Sequence, residues 1–330
     1  EMLRSLVGSE MCIRDRIKRY FSRKSLQNEV ILSVGDDCAI TSISAGYQLA
    51  ITTDTLVEGT HFLPSISPAA LAYKSVAVNL SDLAAMGATP TWVSLALTLP
   101  EIKEAWLAEF SQSLFAILDR YSMSLIGGDT TKGPLSITLT AQGFLPENQG
   151  LFRHQAKVGD WIFVSGFLGD SAAGLDLLLQ NRKIENESDR YFIQRHLHPT
   201  PRVELGLALR AFSCCALDIS DGLLADLGHI LERSQVGAEI YLENLPLSHH
   251  LCTQYEQTQA EKFALTGGED YELCFTVSEE KREEMEQVLR SQGIKVTCIG
   301  QILPATSGLN LLKNGKKMAL PTHIGFDHFS

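Results

Sequence analysis

The sequence lacks the short motifs that mark several large classes of protein. It contains no G-x-x-x-x-G-K-[ST] phosphate loop, no G-x-G-x-x-G dinucleotide fingerprint and no G-x-S-x-G nucleophile elbow. The stretch GFLGDSAAG has a G-x-x-G core, but its glycine spacing is wrong for a dinucleotide loop. No Ser, His and Asp residues in the order of a hydrolase triad can be identified. These absences exclude a P-loop protein and argue against triad chemistry.

The chain also has few basic residues and no long apolar run. It has 28 Lys and Arg against 39 Asp and Glu, a net charge of −11. Phosphate backbones and anionic membranes need a basic surface, and no apolar run approaches the roughly 18 residues that cross a bilayer. We therefore expect neither a nucleic acid nor a membrane as partner. Small phosphorylated ligands are compatible with this charge, because bound metal ions supply positive charge locally.

The seven cysteines form no C-x-x-C pair and show no zinc spacing. An odd number without such a framework is typical of reduced thiols in the cytosol. The sequence therefore predicts a cytoplasmic protein.

A length of 330 residues is too great for one ordinary core, so we expect two domains. Residues 1–16, which include SLVGSEMCIRDR, read as a translated sequencing adapter or a disordered leader, and we exclude them from the fold prediction. The polar stretch PENQGLFRHQAKVGD favours a boundary between an N-terminal domain, 17–150, and a C-terminal domain, 151–330. Alternating strand-like and helix-like segments favour an α/β or α+β fold.

Local patterns predict individual elements. SPAALAYKSVAVNLSDLAAMGA predicts a helix with Ser67 as N-cap, Pro68 in the first position and Gly87 at the C-terminal cap. EAWLAEFSQSLFAILDRY predicts a second helix, and YQLAITTDTL predicts a strand that ends in polar residues. SLIGGDTTKGPLSITLTAQGFL predicts a glycine turn and then a strand. VGDWIFVSGFLGDSAAGLDLLL and ALDISDGLLADLGHILERS each predict a strand, a loop and a helix, and LTGGEDYELCFTV predicts a turn before an alternating strand.

Aspartates recur where the predicted strands stop. They are Asp36, Asp37, Asp54, Asp129, Asp218 and Asp221. Asp82 lies near the end of a helix, where the helix dipole disfavours a carboxylate unless a cation compensates. So many carboxylates beside Gly, Ser and Thr suit several Mg²⁺ ions on a polyphosphate. Taken singly, each Asp-Gly pair is more often a turn. Asp221 could cap the next helix, or that helix start could bind phosphate.

One further aspartate and one histidine-containing stretch are predicted to have no role in metal binding. Asp226, one helical turn after Asp221, is expected to be solvated. HLHP carries His196 and His198 at metal-like spacing on a predicted strand. Its basic, proline-flanked surroundings favour a surface or structural role over a metal site.

Six stretches together resemble the thiamine-monophosphate kinase family, which belongs to the superfamily of aminoimidazole ribonucleotide synthetase and selenophosphate synthetase. They are GDDCA, TTDTLVEGTHF, AVNLSDLAAMGA, LIGGDTTKGPLSITLTAQGF, DISDGLLADLGHI and GGEDYELCF. The resemblance runs from about Ile17 to Phe329. It implies a PurM-like fold of two α/β domains, with the N-terminal domains of a homodimer forming a β-barrel and the active site in the cleft between domains. It also implies direct transfer of a phosphoryl group from ATP to thiamine phosphate.

The resemblance also implies roles for particular residues. The metal ligands, for several Mg²⁺ ions, would be Asp37, Thr52, Thr53, Asp54, Asp82, Asp129, Asp218 and Asp221. ATP would contact Gly128, Asp129, Arg153 and Ser220, and thiamine phosphate would contact His61, Glu269 and His323. No catalytic residue is expected beyond the metal ligands, because the attacking phosphate oxygen is already ionised.

His323 stands where the family commonly has an aromatic residue, often Trp. Imidazole offers less stacking area than indole, and a protonated imidazole is repelled by a cationic thiazolium. We therefore expect weaker binding of thiamine phosphate without loss of function. Two other interpretations are open: a superfamily enzyme with another small acceptor, and a module that binds nucleotide or thiamine without catalysis. A metal-dependent phosphohydrolase is disfavoured, because no histidine cluster is present.

Overall fold

Helices and strands alternate along the chain in the structure, a computed structural model that describes residues 15–23, 25, 27–34 and 38–325. In chain order, the elements up to residue 146 are α1 (described over 15–21), β1 (Val30–Leu32), β2 (Ile40–Thr41), β3 (Tyr47–Val57), α2 (Pro68–Ala85), β4 (Thr89–Leu99), α3 (Glu104–Arg120), β5 (Ser124–Lys132) and β6 (Ser136–Pro146). Those that follow are β7 (Trp161–Ser165), α4 (Asp170–Leu179), α5 (Glu187–Leu197), α6 (Val203–Leu209), β8 (Cys215–Asp218), α7 (Leu223–Ser234), β9 (Val236–Tyr241), α8 (His249–Gln254), α9 (Gln257–Thr266), β10 (Leu273–Val277), α10 (Glu279–Ser291), β11 (Val296–Pro304), β12 (Leu309–Lys313) and β13 (Lys316–Met318).

The chain divides into two compact units. The first unit contains the residues up to Asn79 together with Pro90–Phe144, and the second unit contains Leu80–Thr89 and the residues from Leu145 onward. Helix α2 therefore contributes its last residues, 80–85, to the second unit.

The first unit is built on a four-stranded sheet in the order β3-β6-β4-β5, with β1 and β2 paired separately. Strands β4 and β5 are parallel, and α3 is the crossover that joins them, as parallel neighbours require. Alternate residues of β6, including Ile137, Leu139 and Ala141, are buried. The other sheet face is more open, since Ile51 of β3 is 61% exposed. This unit therefore has one core-facing and one accessible sheet face.

The second unit is built on a seven-stranded sheet in the order β13-β12-β9-β11-β7-β10-β8. Its main apolar cluster joins Ile162 and Val164 of β7 to Leu227 and Ile230 of α7. Within the sheet, Phe163 and Phe275 stack with ring centroids 5.6 Å apart. All five residues of β10 are buried, as expected for a strand covered on both faces. The alternating burial predicted for this strand is therefore wrong.

Several local predictions are confirmed and others are corrected. Helix α2 begins at Pro68 as predicted, with the Ser67 hydroxyl accepting a hydrogen bond from the Ala70 amide at 3.1 Å, and Gly87 follows the helix with a φ of +70°. Strand β3 does not end at the polar residues, because it continues to Val57. The glycine-containing stretch that was predicted to be a turn is strand β5. Both differences arise because neighbouring strands supply hydrogen bonds that local propensity does not reveal.

Candidate active site

The predicted site residues fall in both units. Thr52, Thr53, Asp54, His61, Gly128 and Asp129 belong to the first unit, and Asp82, Arg153, Asp218, Ser220, Asp221, Glu269 and His323 belong to the second. Asp36 and Asp37 lie outside the described residues. Among the residues that the structure does describe, no group of three or more His, Cys, Asp or Glu side chains is arranged to hold a metal ion.

Strand β3 places its consecutive candidate ligands on opposite sides of the sheet. The Thr53 hydroxyl lies 2.9 Å from the Thr140 hydroxyl on β6, on the same face as exposed Ile51. Because neighbouring residues of a strand point to opposite faces, Asp54 points to the other face. Thr53 and Asp54 could therefore share one ion only if Thr53 contributed its main-chain carbonyl.

Strand β5 carries Gly128 and Asp129 against β4. Gly128 has a φ of +151°, and a Cβ atom at this position would lie 1.8 Å from the Leu95 carbonyl oxygen. Only glycine fits so close to the neighbouring strand. Asp129, its exposed neighbour, pairs with Ala96 of β4, so the glycine fixes the backbone on which this carboxylate is presented.

His61 follows β3 in a turn. Its Nδ1 accepts a hydrogen bond from the Val57 amide at 3.1 Å. A neutral ring in this position carries its proton on Nε2.

In the second unit, Asp218 ends β8 as a buried carboxylate beside α2. Its Oδ2 accepts a hydrogen bond from the Ser81 hydroxyl at 2.7 Å. Burial raises the pKa of Asp218, and the negative charge of Asp82 raises it further, while Arg153 has a smaller opposite effect. Two carboxylates so placed form a donor set that a hard divalent cation would stabilise. The chemistry of this pair suits Mg²⁺, but the described residues alone form no complete set of metal ligands.

The loop between β8 and α7 carries Ser220 and Asp221, and it is held by the carboxylate of Asp226. Asp226 is buried, and its Oδ2 accepts hydrogen bonds from the backbone amides of Ser220, Asp221 and Gly222, each at 3.0 Å. The prediction that Asp226 is solvated is wrong. Asp221 is not the N-cap of the helix, because Gly222 occupies that position. Spacing could have suggested Asp226, because it lies four residues after Gly222 in the DGLLAD run.

The loop of residues 267–272 lies directly against this first loop. The amides of Glu269 and Tyr271 donate to the carbonyl oxygens of Ser220 and Ile219, at 2.7 and 2.9 Å. Glu269 and Tyr271 both have positive φ, +65° and +50°. Such backbone strain is held in place by surrounding structure and is common at functional sites.

Two buried carboxylates anchor the second loop. Asp270 accepts hydrogen bonds from the amides of Gly169 and Ser171, at 2.7 and 3.2 Å. Glu272 accepts from Arg195 at 2.9 Å, from Arg202 at 2.5 Å and from the Ser165 hydroxyl at 2.6 Å. The GGEDYE motif predicts no role for either residue, because its letters do not show which side chains point inward.

HLHP is predicted to lie on a strand, but the structure places it at the end of a helix. His196 lies in the last turn of α5 and His198 follows that helix. His196 is buried, with Nδ1 3.1 Å from the Ser171 hydroxyl and 3.3 Å from Glu269 Oε2. The surface role is therefore wrong for His196, and the structural role is supported.

Arg153 and His323 are exposed on the second unit. The Arg153 carbonyl oxygen accepts a hydrogen bond from Ser234 at 2.9 Å. A Cβ atom on Gly325 would lie 3.0 Å from the Asp221 carbonyl oxygen. The segment that carries His323 therefore runs beside the loop that carries Asp221.

Comparison with known proteins places the chain in a class. The AIR synthase related protein N-terminal domain model matches residues 35–145, and the corresponding C-terminal domain model matches residues 157–308. Together with the mixed α/β structure, these matches define a two-domain protein of the AIR synthase related class. The predicted α/β fold with two PurM-like domains is thereby confirmed.

Individual relatives define the family. The chain is 56% identical over 318 residues to a thiamine-monophosphate kinase of Haemophilus influenzae, covering 96% of this chain and 97% of the relative. It is 52% identical over 316 residues to that of Escherichia coli K12, covering 95% and 97%. The chain belongs to the thiamine-monophosphate kinase family.

Solved structures agree with this assignment. A crystal structure of the Stenotrophomonas maltophilia K279a thiamine-monophosphate kinase has a TM-score of 0.83 and 42% identity, covering 93% of this chain and 95% of that one. A structure described as AaThiL complexed with AMPPCP and TMP has a TM-score of 0.75 and 34% identity, covering 96% of each chain. Separately, none of the helices in the described part of the chain is long and apolar enough to cross a membrane.

Proposed function

We propose that this chain transfers the γ-phosphoryl group of ATP to thiamine phosphate, giving thiamine diphosphate and ADP. The observation that carries the proposal is the 56% identity to a thiamine-monophosphate kinase over 97% of that relative. The solved structure described as AaThiL complexed with AMPPCP and TMP supports ATP and thiamine phosphate as the ligands of this protein. Thiamine phosphate and ATP are thus the proposed substrates.

The proposed reaction needs charge neutralisation more than proton transfer. The attacking phosphate oxygen is ionised at neutral pH, so no general base is required, and positioning and electrostatics dominate. Several Mg²⁺ ions would be held by Asp37, Thr52, Thr53, Asp54, Asp82, Asp129, Asp218 and Asp221. Bound Mg²⁺ neutralises phosphate oxygens. Burial, and after it the negative charge of Asp82, raises the pKa of Asp218; this supports the role, because a bound cation would favour the ionised form of the carboxylate.

The remaining assigned residues would bind the two substrates. Gly128, Asp129, Arg153 and Ser220 would contact ATP. His61 would donate from Nε2 to the phosphate of thiamine phosphate, and Glu269 and His323 would contact the same substrate. The position of the His323 segment beside Asp221 supports a role for it near the site.

We also propose that the protein forms a homodimer and acts in the cytoplasm. The accessible face of the sheet in the first unit, with Ile51 61% exposed, suits pairing with a second copy into a β-barrel. Free, exposed thiols such as Cys38 and Cys214 suit a reducing compartment in which ATP is available.

The test is to incubate the purified protein with ATP, MgCl₂ and thiamine phosphate and to follow the reaction by phosphorus NMR. We expect resonances of thiamine diphosphate, with ADP formed in equal amount.

Asp54→Asn should lower turnover by at least about tenfold at saturating Mg²⁺, as loss of a metal ligand does. Asp119→Asn removes an exposed carboxylate from α3 in the same unit, and it should leave turnover unchanged.

Other outcomes point to the alternative functions. ADP and free phosphate without thiamine diphosphate would indicate another acceptor. Binding of ATP with no turnover would indicate a binding module.

A further inference from the structure

The loop that leads into helix α7 is held by a side chain of that helix. The first amides of a helix have no partner within it and commonly bind anions. Here the amides of Ser220, Asp221 and Gly222 all donate to one oxygen, Oδ2 of Asp226, at 3.0 Å each. These amides precede the first helical residue, Leu223, so an internal carboxylate holds the loop that leads into α7.

This arrangement determines which groups of the loop remain available. With its three amides turned toward Asp226, the loop directs other groups outward. The Ser220 carbonyl oxygen accepts from the Glu269 amide at 2.7 Å, and the side chains of Ser220 and Asp221 stay partly exposed. The loop therefore presents the side-chain oxygens of Ser220 and Asp221, which attract cations, and its three amides are not free for an anion.

We propose that Asp226 is a positioning residue that holds the loop of residues 220–222 and directs Asp221 toward a divalent cation. The inference rests on the proposed function, in which Asp221 is a metal ligand. Burial of Asp226, 4% exposed, makes the role specific, because water cannot replace the lost acceptor at the three amides.

The chain offers a matched control. Asp189 is equally buried, at 4% exposure, and its Oδ2 accepts a hydrogen bond from the Glu185 amide at 2.9 Å. It lies in α5, in the same unit, and it contacts neither loop through any hydrogen bond of the described residues. Removing it tests what the loss of a buried, amide-binding carboxylate does in general.

The experiment measures Mg²⁺ binding by calorimetry in the presence of AMPPCP, together with the KM values for ATP and thiamine phosphate. We expect Asp226→Ala to weaken Mg²⁺ binding about 10- to 100-fold, the usual effect of losing a partner that orients a metal ligand. Asp226→Asn keeps an acceptor oxygen and should recover most of this loss. Asp189→Asn should leave Mg²⁺ affinity within about twofold, and the KM for ATP should respond to Asp226→Ala more than the KM for thiamine phosphate.

The outcomes separate this inference from the proposed function. If Asp226→Ala binds Mg²⁺ and AMPPCP as the wild type does, at a temperature where it is folded, Asp226 has only a structural role. Equal weakening by Asp189→Asn would have the same meaning. A wild-type protein that binds Mg²⁺ and AMPPCP but does not phosphorylate thiamine phosphate overturns the proposed function while leaving the role of Asp226 testable by calorimetry.

Discussion

At the scale of single residues, Gly128 has very little conformational freedom. A Cβ atom would lie 1.8 Å from the Leu95 carbonyl oxygen, and the φ of +151° disfavours any other residue. We expect Gly128→Ala to lower the free energy of unfolding by about 3 kcal/mol or more, from backbone strain and overpacking together. Urea denaturation followed by circular dichroism measures the change.

The neighbouring glycine is the control. A Cβ atom on Gly127 would meet nothing within 4 Å, and its φ is not in the left-handed region. Gly127→Ala should therefore change the free energy of unfolding by no more than about 0.5 kcal/mol. Similar stability of the two variants would show that β4 and β5 can separate at Leu95.

At the scale of elements, the loop of residues 267–272 is anchored by a buried carboxylate that pairs with two arginines. Glu272, fully buried, accepts from Arg195 and Arg202, and these belong to α5 and to the turn before α6. Glu272→Ala would leave two guanidinium groups without their partner. We expect a loss of about 3–5 kcal/mol in the free energy of unfolding, measured by chemical denaturation.

A more exposed ion pair gives the comparison. Arg282 and Glu286, each about one-third exposed, form a pair four residues apart on α10 at 3.1 Å. Glu286→Ala should lower the free energy of unfolding by no more than about 0.5 kcal/mol. An equally small loss in Glu272→Ala would mean that water reaches the guanidinium groups once Glu272 is removed.

Elements also show what the sequence could predict. The limits of α2 followed from Ser67, Pro68 and Gly87, because capping is local chemistry. The end of β3 depends on a neighbouring strand. The inward position of Asp226 depends on three nearby backbone amides, and that of Glu272 on arginines distant in the sequence. Motif letters identified the family through DISDG and GGEDYE, but not which of their carboxylates point inward.

At the scale of the whole molecule, the accessible sheet face of the first unit gives the proposed homodimer its test. Ile51 is 61% exposed in β3 and shares its face with Thr53, whose hydroxyl lies 2.9 Å from that of Thr140. A sheet face with an exposed large apolar residue is a common site of association. We expect light scattering after size exclusion to give twice the 36.3 kDa mass of the chain.

Charge placed on that face should separate the subunits. Ile51→Glu would bury a carboxylate in the proposed interface without a partner, so we expect a monomer at micromolar concentration. Leu179→Glu is the control, because Leu179 is 59% exposed at the end of α4 in the second unit, and its substitution should leave the dimer intact. A wild-type monomer would rule out the homodimer. A dimer that tolerates Ile51→Glu but not Leu179→Glu would move the interface to the second unit, because an unpaired charge disrupts only the surface that association buries.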